Sequence, residues 1–143
     1  MKKANHLFLW STWALSLAVL CTACQSISPR TAEEFKPLQG HWEGDGAGGK
    51  CSITITGNLL QYRNNKGMFE ATFTLPQGTD PQQLEATITN CSPPSSTAIG
   101  TMVFAIFKIQ DGTLTLAVND TSDRPPETFA TAGSHYVLKK VQL

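Results

Sequence analysis

Ile106-Phe107-Lys108-Ile109-Gln110-Asp111-Gly112-Thr113-Leu114-Thr115-Leu116-Ala117-Val118 reads as two strands joined by a tight turn. Asp-Gly between two such runs is the strongest hairpin signal in the chain, because both turn residues must take a positive φ. Leu114, Leu116 and Val118 continue on the far side at period two, as in a strand with one buried face. The run from Thr101 to Ile109 is apolar on both faces, which predicts the most enclosed strand of the domain.

The same period recurs on either side of this hairpin. Cys51 to Thr56 alternates apolar with hydroxyl side chains before Gly57-Asn58 turns the chain, and Leu59 to Arg63 follows as a short strand closed by residues 64–67. Phe69, Ala71, Phe73 and Leu75 share one face, with Glu70, Thr72 and Thr74 on the other. Leu84, Ala86 and Ile88 alternate with Glu85, Thr87 and Thr89 up to a Pro-rich break at 92–97. Trp42 begins the first strand, which fades into the glycines of 44–49, and the last strand lies around His135 to Val141. Eight strands with short turns and no crossover helix predict an all-β domain. An eight-stranded antiparallel up-and-down barrel is expected, since closure removes both edges; an open β-sandwich is the alternative.

The N-terminus carries a different kind of signal. Lys2 and Lys3 precede an uncharged, apolar stretch from Leu7 to Leu20, which ends in Cys21-Thr22-Ala23-Cys24. A basic start, a short apolar run and a small-residue exit make a secretory signal, too short for a comfortable membrane span. A cysteine at that exit resembles the lipobox of bacterial lipoproteins, which implies that Cys24 is diacylated and becomes the new N-terminus. Residues 1–23 are thus expected to be a lipoprotein signal peptide, 24–37 a lipidated N-terminus and flexible tether, and 38–143 the barrel domain. Thr31-Ala32-Glu33-Glu34 has capping-box spacing, so one helical turn is expected before Pro37. The expected location is the bacterial cell envelope. Gln25 stands where an Asp would resemble an inner-membrane retention signal, so the outer membrane is favoured.

Processing removes Lys2 and Lys3 and leaves nine basic against eleven acidic residues. That balance gives no footprint for nucleic acid and no polybasic patch for anionic lipid, so the membrane link rests on the acyl chains. Cys51 and Cys91 remain as an even pair in an oxidising compartment, where a disulfide is the default expectation. Closing that loop would stabilise the fold by roughly 3–4 kcal/mol in the chain-entropy model. Strand parity speaks against the pair: Cys51 goes with Ile53 and Ile55, Cys91 with Thr87 and Thr89.

Three stretches carry a resemblance. Leu38-Gln39-Gly40-His41-Trp42 resembles the opening of an uncharacterised lipocalin-like domain family abundant in planctomycete-type bacteria. The hairpin from Ile106 to Leu114 is similar to that family's penultimate hairpin, and Arg124-Pro125 followed by Phe129-Ala130-Thr131 resembles its late Arg-Pro…Phe signature. The resemblance spans about residues 38–141, in order. It implies a lipocalin-like barrel closed at one end by Gly40 and Trp42, and it brings no activity with it. Such barrels often stack an Arg of the last strand on the Trp; here Lys139 and Lys140 stand in that region.

Chemistry-bearing patterns are few. Gly44 to Cys51 nearly spells a phosphate-binding loop. Cys51 stands where Ser or Thr would hold Mg²⁺, no buried strand precedes the glycines, and a strand pattern follows where a helix is required. It reads as a flexible connection between strands. His41, Glu43 and Asp45 share a face of the first strand, and barrel closure would bring His135 into their neighbourhood, a set able to hold Zn²⁺; a solvated polar face is the favoured reading. Asp120, Asp123, Arg124 and Glu127 cluster in one loop, read as a solvated loop.

No catalytic set, metal or cofactor is expected. The function expected first is a non-catalytic binding module for a small apolar ligand, with Trp42, Tyr62, Phe69, Phe73, Phe104, Phe107 and Tyr136 lining the barrel. The alternative is a protein-interaction or enzyme-inhibitor module with a filled core, its partner an envelope protein.

Overall fold

The computed structural model describes residues 32–119 and 123–142. The signal segment, Cys24 and Asp120 lie outside the described residues.

Eight antiparallel strands close into a barrel in the order β1 to β8. They are β1 Gly40–Gly46, β2 Gly49–Thr56, β3 Leu59–Asn64, β4 Gly67–Thr74, β5 Gln82–Ser92, β6 Met102–Gln110, β7 Thr113–Asn119 and β8 Ser134–Val141. The seam between β1 and β8 runs from His41 opposite Val141 to Asp45 opposite Val137. The up-and-down barrel is therefore the architecture, and the open sandwich is excluded. Asp111 and Gly112 both have positive φ, 51° and 68°, as a two-residue hairpin of this hand requires.

The glycine stretch departs from expectation. It forms the ends of β1 and β2, paired from Gly40 opposite Ile55 to Gly46 opposite Gly49, with only residues 47 and 48 turning between them. Gly46 is needed for a close approach: a Cβ there would sit 2.3 Å from the ring of Tyr136.

Among the described residues, one short helical segment precedes the barrel, α1 Ala32–Phe35 continued as a 3-10 turn over Lys36–Leu38. It is built into the fold. Phe35 packs edge-on against Phe73 at 5.4 Å, and Leu38 is 1% exposed. Ordered packing thus begins within the stretch expected to be tether.

The interior is a single cluster that includes Leu38, Trp42, Ile53, Ile55, Phe73, Leu84, Phe107, Leu114, Leu116 and Leu138. Ala71, Ala86 and Ala105 also belong to it, on three adjacent strands, where their small size makes room for the larger rings. Outward positions are largely polar, among them Thr54, Gln61, Glu70, Thr72, Glu85, Thr87, Lys108 and Thr115.

Ile106 and Ala117 break that rule. They oppose each other on the outer face of β6 and β7, yet both are 0% exposed and stand outside the interior cluster. The segment from Asp123 to Gly133 straps this face. Phe129 lies under the ammonium of Lys108 at 5.2 Å, its carbonyl meets His135 Nε2, Asn119 Nδ2 donates to the Arg124 carbonyl, and Pro126 is buried. The strap encloses β6 on both faces at Ile106, whereas Met102, farther along the same outer face, stays 51% exposed.

The expected Cys51–Cys91 disulfide is not formed; both thiols are free and buried. The parity objection has a structural answer. The register shifts between Glu70 and Ala71, which oppose Asn90 and Ile88, so Thr89 is an extra residue in β5. This bulge turns Cys91 to the interior side, opposite Phe69. Distance prevents the bond. Cys51 on β2 and Cys91 on β5 are three strand spacings apart, roughly 14 Å along the wall, beyond a disulfide's reach of about 7 Å between Cα atoms. Tyr62 and Phe69 fill the interior positions of the two strands between.

Candidate binding surfaces

The end nearest the N-terminal helix is plugged. Trp42 is 1% exposed, its indole Nε1 donates to the Leu38 carbonyl at 2.8 Å, and Lys140 Nζ lies 5.3 Å from its ring centroid. Gly40 opens β1 beside it, and a Cβ there would stand 3.1 Å from Lys140 Cε. Gln39 ties the segment to the β2–β3 turn: its Nε2 donates to the Gly57 carbonyl and its Oε1 accepts from the Gly57 amide, at 3.0 and 2.6 Å.

The opposite end holds three further rings, Tyr62, Phe69 and Tyr136. Tyr62 stacks on Phe69 at 6.4 Å and meets Tyr136 edge-on at 5.8 Å, while Asn64 Nδ2 donates to the Tyr62 hydroxyl at 3.0 Å. Phe69 is 36% exposed, and both tyrosines are half-buried. Burial raises the Tyr62 phenol above its ordinary range, against the lowering effect of the Asn64 and Tyr136 hydrogen bonds. Burial, with the charge of Asp45 adding to it, raises the Cys51 thiol. A thiol held protonated is a poor nucleophile. Of the rings expected to line the interior, Phe104 instead opposes Glu85 and Asn119 on the outer face.

The polar set proposed for Zn²⁺ does not assemble. His41 bonds Thr54 through Nδ1 at 2.8 Å and Glu43 through Nε2 at 3.0 Å, while Asp45 pairs with Lys50 at 3.0 Å. His135 is six residues along β8 from Val141, the partner of His41, or roughly 20 Å. Among the described residues, no group of three or more His, Cys, Asp or Glu could hold a metal ion. Asp123, Arg124 and Glu127 are exposed and Pro125 is half-buried.

A row of polar side chains on the outer wall is not legible position by position in the sequence. His41, Thr54, Gln61, Glu70 and Asn90 are successive register partners across β1 to β5. Gln61 Nε2 donates to Glu70 Oε1 and Asn90 Nδ2 to Glu70 Oε2, each at 3.0 Å. These bonds, Asn90 first, hold the Glu70 carboxyl below its ordinary range. A groove of about 270 Å³ opens here, lined chiefly by Thr54, Thr56, Leu59, Gln61, Glu70 and Thr89. Only the alternation marks these residues as outward-facing in the sequence; their meeting depends on the register of four strand pairs and on the bulge at Thr89.

Comparison with protein-family profiles, with curated proteins and with solved structures returns no match.

Proposed function

We propose that the protein is a lipid-anchored, non-catalytic module of the bacterial cell envelope whose filled barrel engages an envelope protein or inhibits an enzyme there. The filled interior carries this reading. Trp42, Phe73, Leu114 and Leu138 are each at most 1% exposed, so side chains take up the space where a small barrel would hold a ligand. The polar outer wall supports attachment through Cys24 and its acyl chains, with the outer membrane favoured, because among the described residues it offers no apolar band to a bilayer. Kinship with the lipocalin-like domains belongs to the same proposal, supported by the eight-stranded closure around Trp42.

One observation favours a second reading, a small apolar ligand. The Phe69 ring is partly exposed beside Tyr62 and Tyr136 at the unplugged end. Native mass spectrometry of the protein taken from its own envelope separates the two. A complex with a protein and no small-molecule adduct is expected; an apolar adduct on an otherwise monomeric protein would replace the first reading by the second. Fractionation tests the anchor: Cys24→Ser should leave the membrane, and retention of the unacylated protein would remove the lipoprotein reading.

A further inference from the structure

We propose that the groove around Glu70 is a docking site for the guanidinium group of an arginine carried by a protein partner. The inference rests on the protein-binding reading above and gives it a location on the barrel.

Three features of the groove point to this group. The first is an uncompensated charge. Among the described residues no Lys or Arg pairs with Glu70, and Arg63, two positions beyond Gln61 on β3, turns its guanidinium to Met68 Sδ at 3.6 Å. The Gln61 and Asn90 amides keep the carboxylate ionised without neutralising it.

The second is an excess of acceptors. The carboxylate has about four lone-pair sites, and the two amides use two. Donation by Gln61 through its nitrogen fixes its carbonyl oxygen as a further acceptor beside them. Thr89 Oγ1 donates its proton to the Glu70 carbonyl at 3.2 Å and keeps its lone pairs. A guanidinium brings five donors and no acceptor in a planar fork, which fits such a surface better than a point-charge ammonium does. Each amide NH₂ keeps one further N–H, but these two donors are outnumbered by the free acceptors, so a hydroxyl matches the surface less well than a guanidinium does.

The third is the apolar flank. Leu59 lines the groove and is 56% exposed, on the same wall as Glu70 and one strand away. It suits the aliphatic stem of an arginine, which packs on apolar surface while its head group reaches the charge.

The partner is unidentified, so the test uses N-acetyl-arginine amide with the ¹⁵N-labelled protein bearing its native N-terminus. The reporters are the side-chain NH₂ signals of Gln61 and Asn90. Saturable shifts are expected with the arginine probe, much weaker ones with N-acetyl-lysine amide, and none with N-acetyl-norleucine amide or maltose. Glu70→Gln, which keeps the shape and removes the charge, should weaken binding by about two- to fivefold, whereas Glu85→Gln elsewhere on the wall should not. No saturable shift, equal shifts from the other probes, or undiminished binding by Glu70→Gln would each overturn the proposal. The wild-type comparison of the four probes decides the matter even if a variant fails to fold. Binding of the arginine probe together with a failure to find any protein partner would support the site and overturn the protein-binding reading alone.

Discussion

Trp42 and Lys140 are register partners across the seam where β1 meets β8, and the Lys140 ammonium lies 5.3 Å from the indole centroid. The pair joins the first strand to the last at the plugged end, where the indole N–H also holds the Leu38 carbonyl. A single side chain therefore links the N-terminal helix, both ends of the sheet and the core. Trp42→Ala should cost roughly 3–5 kcal/mol in denaturant unfolding, a large share of a small domain's stability. His41→Ala, on the opposite face, should stay within about 1 kcal/mol. An unchanged midpoint for Trp42→Ala would show that the indole does not bear on closure.

Much of the barrel was legible because its signals are local. Period-two alternation from Phe69 to Leu75, the Asp111-Gly112 turn and the absence of a crossover helix each act within a few residues, and together they gave the strand order. The rest depended on contacts that no local pattern encodes. The glycines of β1 read as a loop because Gly disfavours strands in general, whereas Gly46 is there to admit the Tyr136 ring. Thr89 looked like one more alternating threonine, and only the pairing of Glu70 with Asn90 and of Ala71 with Ile88 makes it a bulge. Cysteine arithmetic suggested a disulfide because it counts thiols, and it cannot count the three strand spacings between them. Glu70 read as one polar position among several; its amide partners come from two other strands.

The strap over β6 and β7 gives a test of enclosure. Ile106 and Val137 both point outward by alternation, but Ile106 is 0% exposed and Val137 is 52% exposed. Ile106→Ala should cost about 2–5 kcal/mol, as for a core residue. Val137→Ala should fall within about 0.5 kcal/mol, as for a surface site. Equal small effects in thermal unfolding would mean that the segment from Asp123 to Gly133 does not seal that face.

The free thiols give a chemical and a pH test. Non-reducing peptide mapping should find Cys51 and Cys91 unlinked, with alkylation only after unfolding, because both are buried. Burial raises Cys51 and Tyr62 above ordinary values of 9.0 and 10.0, so the folded state favours their protonated forms. Their contribution is complete below those values and is lost as pH rises through the higher folded ones. Stability should therefore decline above about pH 9, and the decline should begin later in Cys51→Ala. A linked pair, or a flat alkaline limb, would contradict this arrangement.

Gly46 and Tyr136 make a coupled pair. A Cβ at position 46 would meet the Tyr136 ring at 2.3 Å and Cys51 Sγ at 3.2 Å. Gly46→Ala should destabilise the wild-type barrel by roughly 1–3 kcal/mol, the usual range for overpacking. In a Tyr136→Ala background the clash with the ring is gone, and most of that effect should vanish. Additive effects of the two substitutions would show that the ring does not rest on the strand at Gly46.

Glu70 predicts the acid limb of the stability curve. Hydrogen bonds from Asn90 and Gln61 lower its carboxyl below the ordinary 4.5. The unfolded chain therefore takes up the proton at a higher pH than the folded one does. The contribution is present in full above the ordinary value and is lost as pH falls through the lower, folded value. Denaturant midpoints measured downward from pH 6 should drop in wild type below about pH 4.5 and drop less steeply in Glu70→Gln, which has no proton to gain. If Glu70→Gln kept the full acid slope, the two amides would not be holding the carboxylate, and the charge on which the arginine site depends would be lost at the same pH as that of any free glutamate.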